Sequence, residues 1–201
     1  MIRRAAYLGM RTLILVSLAA HLTLPVAAPE PGELNRLNDC IQRRFLARTT
    51  FGLGRILPDQ FHGVRQFRPE NADEQAVVNQ LGEKGYQVAL YLAGRNVLTV
   101  PSRSPLVPLY RYAVQGPAYI THLENPEELP RTDSLFDASS AALQAFNTGR
   151  DYSDVQKGGW TVALRPLRAS NDACVQCHNA AGARVKMNDP LGVVMYVYKH
   201  T

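Results

Sequence analysis

Gly192-Val193-Val194-Met195-Tyr196-Val197-Tyr198-Lys199 is the stretch on which the fold class turns. Neighbouring side chains of a strand point to opposite faces. Val193, Met195 and Val197 therefore share one face, and Val194, Tyr196 and Tyr198 the other. Both faces are apolar, which predicts a strand buried on both sides. Upstream, Trp160-Thr161-Val162-Ala163-Leu164-Arg165 reads as another strand, after a Gly158-Gly159 turn. Tyr86 to Leu92 is rich in β-formers and is followed by Gly94, with Val97 to Val100 as a hairpin partner. Tyr110 to Val114 and Ala118 to Thr121 are weaker strands, in a region broken by Pro101, Pro105, Pro108 and Pro117.

Helical signals surround these strands. Glu33 to Ala47 places Leu34, Leu37, Ile41 and Phe45 near one face, and Gly52, Gly54 and Pro58 end it. Asn71 to Lys84 opens with a capping-box spacing, Asn71 followed three residues on by Glu74, and stops at Gly85. Asp133 or Ser134 can cap a helix that runs to about Thr148 before Gly149. Helices at the front and several antiparallel-type strands predict an α+β fold. The economical picture is a mid-size sheet with helices packed on one face.

The first 28 residues read as an export signal. Arg3, Arg4 and Arg11 precede the apolar run Thr12 to Leu24, and Val26-Ala27-Ala28 supplies small residues for cleavage. Pro29 disfavours cleavage, so an uncleaved membrane anchor is the competing reading. Residues 29–201 are expected to form a single domain. Without those arginines the basic count falls from 22 to 19 against 17 acids, with no dense basic stripe. Nucleic-acid binding therefore has little support. There is no phosphate loop, His-Glu-x-x-His or Gly-x-Ser-x-Gly, and Gly52-Leu53-Gly54 reads as a turn.

Cys174-Val175-Gln176-Cys177-His178 is the strong chemical motif. Two thiols separated by two residues can each add to one vinyl group of a haem, and the next residue delivers an imidazole to the iron. Chance should produce this pattern roughly once in a thousand chains of such composition, so it is specific. A redox dithiol would sit in a βαβ pattern, and a structural zinc site would need a second ligand pair. Neither is evident. The expected cofactor is one covalent haem c on Cys174 and Cys177, with His178 as axial iron ligand, in the bacterial periplasm or an equivalent exported location.

Trp160 to Tyr198 resembles the PAS-like c-type haem domain family, which includes secreted mono-haem proteins and extracytoplasmic sensor modules. The resemblance rests on Arg165-Pro166-Leu167, on Cys174 to His178, and on Asn188-Asp189-Pro190-Leu191-Gly192 ahead of the last strand. Asn188 stands where the family has glycine, and asparagine tolerates a positive φ. The resemblance implies a PAS-like antiparallel sheet with flanking helices. It also implies an iron ligand from an N-terminal helix, cysteine in some members.

That points to Cys40 as the distal ligand. Cys40 is also the odd one of three cysteines, and ligation would explain its escape from oxidation. His62 is the alternative, His122 a weaker one, and an open sixth position a further one. Met187 and Met195 read as packing. Arg165, Arg168, Arg184 and Lys186 flank the motif and are candidates for the haem propionates. Trp160, Tyr196 and Tyr198 line either a haem pocket or the sheet core. The function expected is a c-type cytochrome carrying single electrons to a redox partner protein or small molecule. A gas or redox sensor acting through a partner is the alternative, and a peroxidase-like enzyme the remote one. Membrane association is expected only if the N-terminal segment stays uncleaved.

Overall fold

The computed structural model describes residues 31–48, 52–57, 65–97, 110–180 and 183–201. The segment read above as an export signal and His62 lie outside the described residues. Among the described residues the α-helices are α1 (Glu33–Ala47), α2 (Ala72–Glu83), α3 (Thr132–Asn147) and α4 (Asp172–Ala180). Five strands are β1 (Tyr86–Val97), β2 (Tyr110–Tyr119), β3 (Ser153–Lys157), β4 (Trp160–Arg168) and β5 (Pro190–His200). They form one sheet in the order β2-β1-β5-β4-β3, with every neighbouring pair antiparallel. The chain is thus α+β, a five-stranded antiparallel sheet with flanking helices.

β5 lies at the centre of the sheet, as its two apolar faces demand. Val193 to Tyr198 are each 2% exposed or less. Val194, Tyr196 and Tyr198 pack with Leu34, Leu37 and Ile41 of α1 and Val77 and Leu81 of α2. Val193, Met195 and Val197 pack with Leu135, Ala142 and Phe146 of α3. Helices therefore cover both faces, not one, and both faces of β5 meet protein side chains. Trp160, Tyr196 and Tyr198 belong to these two cores.

Strand boundaries differ from expectation in instructive ways. Gly94 lies inside β1, and Val97 continues that strand instead of turning back as its partner. The partner is β2, a single strand where two weak ones were expected. Gly94 and Gly192 stand opposite each other in the β1–β5 pair. A Cβ on Gly192 would sit 2.5 Å from the Ala93 carbonyl oxygen, a contact with backbone that cannot swing away. Gly192→Ala should therefore lower stability by about 1–3 kcal/mol, read as a shifted urea midpoint. Gly158 and Gly159, at φ 57° and 83°, make the tight turn between β3 and β4.

The helix caps divide similarly. Asn71 caps α2 by accepting the Glu74 N–H at 3.0 Å. The Glu74 carboxylate does not return to Asn71. It accepts from Arg44 Nε at 2.8 Å and from the Glu70 N–H at 2.7 Å. α3 begins at Thr132 after Arg131, with neither Asp133 nor Ser134 as its cap.

Candidate cofactor-attachment site

β4 leaves the sheet at Arg168, and the chain returns as β5 at Pro190. The base of this excursion is closed by two backbone bonds, Ala169 N–H to Asp189 O at 2.9 Å and Asn188 N–H to Ala169 O at 2.8 Å. Asn188 holds φ at 69°, the left-handed conformation anticipated for it. Asn188→Gly should be neutral within a few tenths of a kcal/mol. Asn188→Val should cost about 1–2 kcal/mol, because a β-branched residue resists that region. Thermal unfolding of the two variants tests this.

Arg168 closes the base further. Its Nε and Nη2 donate to Asp151 Oδ1 at 3.2 and 2.7 Å. Nη1 reaches Asn188 O at 2.8 Å, and Nη2 also reaches Arg150 O at 3.0 Å and Phe146 O at 3.4 Å. The guanidinium is thus committed to tying the end of α3 to the Asn188 turn. This engagement accounts for the residue without a propionate.

α4 fills the excursion, a helix that the sequence reading did not anticipate. Asn171 Oδ1 accepts the Cys174 N–H at 3.0 Å, an N-cap bond, and Asp172 adds favourable charge in the first turn. Asn171-Asp172 was the available signal. Past α4, Ala183 N–H bonds His178 O at 3.0 Å. The Asn179 side chain pairs with Val185 through both its oxygen, at 2.7 Å, and its nitrogen, at 3.0 Å.

On this helix Cys174, Cys177 and His178 stand at spacings of three and four, which places them on one side. Cys174 and His178 are half-buried, Cys177 is exposed, and both thiols are free. Among the described residues no group of three or more His, Cys, Asp or Glu side chains is gathered as a bare metal ion would require. The arrangement offers two accessible sulfur nucleophiles and one imidazole from little more than one helical turn.

The other singled-out residues separate by their place along the sheet. Arg165 projects on the α1 side between Ala163 and Leu167, 9% exposed, with its guanidinium 4.5 Å from the Tyr152 ring centre. Arg184 and Lys186 are exposed on the returning segment. Met187 is 43% exposed, against its expected packing role, whereas Met195 is fully buried as expected. The Met187 position lies on the outer side of the excursion, where no core reaches it.

Cys40 sits on α1 between two anchors. Asn38 accepts from the Tyr196 hydroxyl at 3.2 Å, and Gln42 Nε2 donates to Pro166 O at 3.0 Å. This fixes Cys40 over the end of β4 that runs into α4. The thiol is 3% exposed, and Arg43 Nη2 donates to its sulfur at 3.2 Å. Burial pushes the Cys40 thiol up, Arg43 opposes this, and the carboxylates of Glu74, Asp73 and Asp39 reinforce it. A buried, protonated thiol resists oxidation without any ligand. The survival of an odd cysteine therefore no longer argues for ligation. Compared with known protein families, curated proteins and solved structures, the chain matches none.

His122 occupies the opposite end of the sheet. It follows Thr121, whose hydroxyl accepts from Val88 N–H at 2.8 Å and donates to Tyr86 O at 2.9 Å. Val88 pairs with Tyr198, whereas the α4 excursion rejoins the sheet at Pro190. The separation is about 25 Å along β5 at a strand's usual rise. His122 instead lines a shallow open hollow of about 320 Å³ beside α2. It is not placed to share an iron with His178.

Proposed function

We propose that this chain is an exported mono-haem c-type cytochrome that carries single electrons or holds a redox level. One observation carries the reading: Cys174, Cys177 and His178 lie together on one side of a surface helix, with both thiols free. Each thiol can add across one vinyl group. Cys174 and Cys177 would hold the group as thioethers, sulfur taking one vinyl carbon and its proton the other with nothing lost, and His178 would offer a ring nitrogen to the iron. When bound, the haem supplies a one-electron couple.

The rest of the chain supports this group through its own residues. Arg165 is a buried cation on the α1 side of β4, 9% exposed, and the first propionate candidate of those named. Arg184 and Lys186 add exposed positive charge on the returning segment. Cys40 remains the distal candidate because of its position over the end of β4, with His62 the alternative. The protein, made in cells with haem-maturation machinery, should show haem that survives denaturing electrophoresis and a reversible one-electron titration. A haem-free product from such cells overturns the reading.

The sheet order, compatible with a PAS-like fold, favours a second reading as a sensor module acting through a partner. A ferrous spectrum altered by carbon monoxide or nitric oxide supports gas sensing, and an unchanged one removes it.

A further inference from the structure

Both cores of the domain are complete without the segment that carries the thiols. No described residue from Ser170 to Leu191 is buried, and neither core draws a side chain from it. The largest buried side chains, among them Trp160, Tyr91, Tyr196, Phe67 and Phe146, all come from outside this segment. The excursion is tied off at its base by the Ala169 pairing with Asn188 and Asp189 and by Arg168. Within it, α4 is held by its own local bonds, the Asn171 cap and the Asn179–Val185 pair.

Folding free energy resides mainly in buried apolar surface. A segment that contributes none to the core is not needed to form it. We infer that the domain folds before, and independently of, haem attachment, and that Cys174 to His178 is offered as a surface helix of a folded protein. This rests on the haem reading above. On this inference, the enzyme that attaches the haem would meet an exposed helical turn of a folded protein. It needs both sulfurs as thiols, so any Cys174–Cys177 disulfide formed on export must first be opened by a thiol reductant.

The test uses two haem-free forms of the full chain: wild type made without maturation machinery, and Cys174→Ser/Cys177→Ser. Both should unfold cooperatively in urea, followed by Trp160 emission. In hydrogen exchange, the amides of β1, β4 and β5 should exchange about 1,000-fold more slowly than those of α4. If wild type is folded and only the double variant is not, the serines are at fault and the inference stands. If neither form unfolds cooperatively, or the sheet exchanges as fast as α4, it is overturned. Wild type that gains no haem from competent cells instead defeats the functional reading, whatever these folding measurements give.

Discussion

Arg44→Ala should lower stability at neutral pH by about 3–5 kcal/mol, the cost of leaving one member of a buried ion pair alone. Arg44 and Glu74 are 5% and 2% exposed. Two donors of Arg44 meet the two carboxylate oxygens of Glu74, and further donors reach Ile56 O at 3.1 Å and Arg68 O at 2.6 Å. The guanidinium also lies 4.3 Å from the Phe67 ring centre. One side chain thus joins α1, Ile56 just after the 3-10 turn Gly52–Arg55, the segment before α2 and α2 itself. Alanine strands a buried carboxylate and two backbone carbonyls at once.

The pH dependence follows from Glu74. Burial pushes its carboxyl up, but the bonds from Arg44 and the Glu70 N–H and the charge of Arg44 outweigh this and hold it below the ordinary value. A lowered carboxyl contributes stability above its unfolded pKa and loses it as pH falls through the folded one. Wild type should therefore lose this contribution progressively below about pH 4.5. In Arg44→Ala, only the Glu70 N–H bond and the charge of Arg43 still oppose burial, so the carboxyl shifts upward and protonation relieves it. The gap between variant and wild type should shrink in acid. Urea titrations at pH 7 and pH 3.5 measure this, and Glu74→Gln in the Arg44→Ala background should recover part of the loss. An equal gap at both pH values would refute the assignment.

The legibility of the sequence tracked burial. α1 was readable to its ends because Leu34, Leu37 and Ile41 repeat at helical spacing and all enter one core. β5 was readable because both its faces are apolar. What covers the second face was misjudged, although Leu135, Ala142 and Phe146 already mark an apolar stripe on α3. β3 escaped because a five-residue edge strand with exposed Asp154 and Gln156 leaves almost no apolar alternation. α4 escaped for the complementary reason. A helix that buries nothing has no periodic signal, so only its cap announced it. At the site, the motif stood out by its chemistry, and Asn188 by its φ. The commitment of Arg168 to the base of the excursion did not, because its partners are distant in sequence or are backbone atoms.

Cys174→Ser/Cys177→Ser should abolish covalent haem, the largest effect expected of any substitution in this chain. No thiol then remains on α4 to form a thioether, so haem should be lost on denaturing electrophoresis even where some binds reversibly. The single variants should differ in degree. Cys177 is exposed, whereas Cys174 is half-buried beside the Asn171 cap. Each single variant keeps one thioether and leaves one vinyl unsaturated, which the haem spectrum in alkaline pyridine reports as a red shift. The Cys177→Ser chain retains the better-anchored sulfur and should retain more haem than Cys174→Ser. Cys40→Ala belongs to a different class. It leaves both attachment thiols in place, so covalent haem should persist at wild-type level while the ferric spectrum changes if the sulfur reaches the iron. Loss of Cys40 with no spectral change would transfer the distal role to His62 or leave the position open. Full retention of covalent haem by the double serine variant would remove the attachment assignment itself.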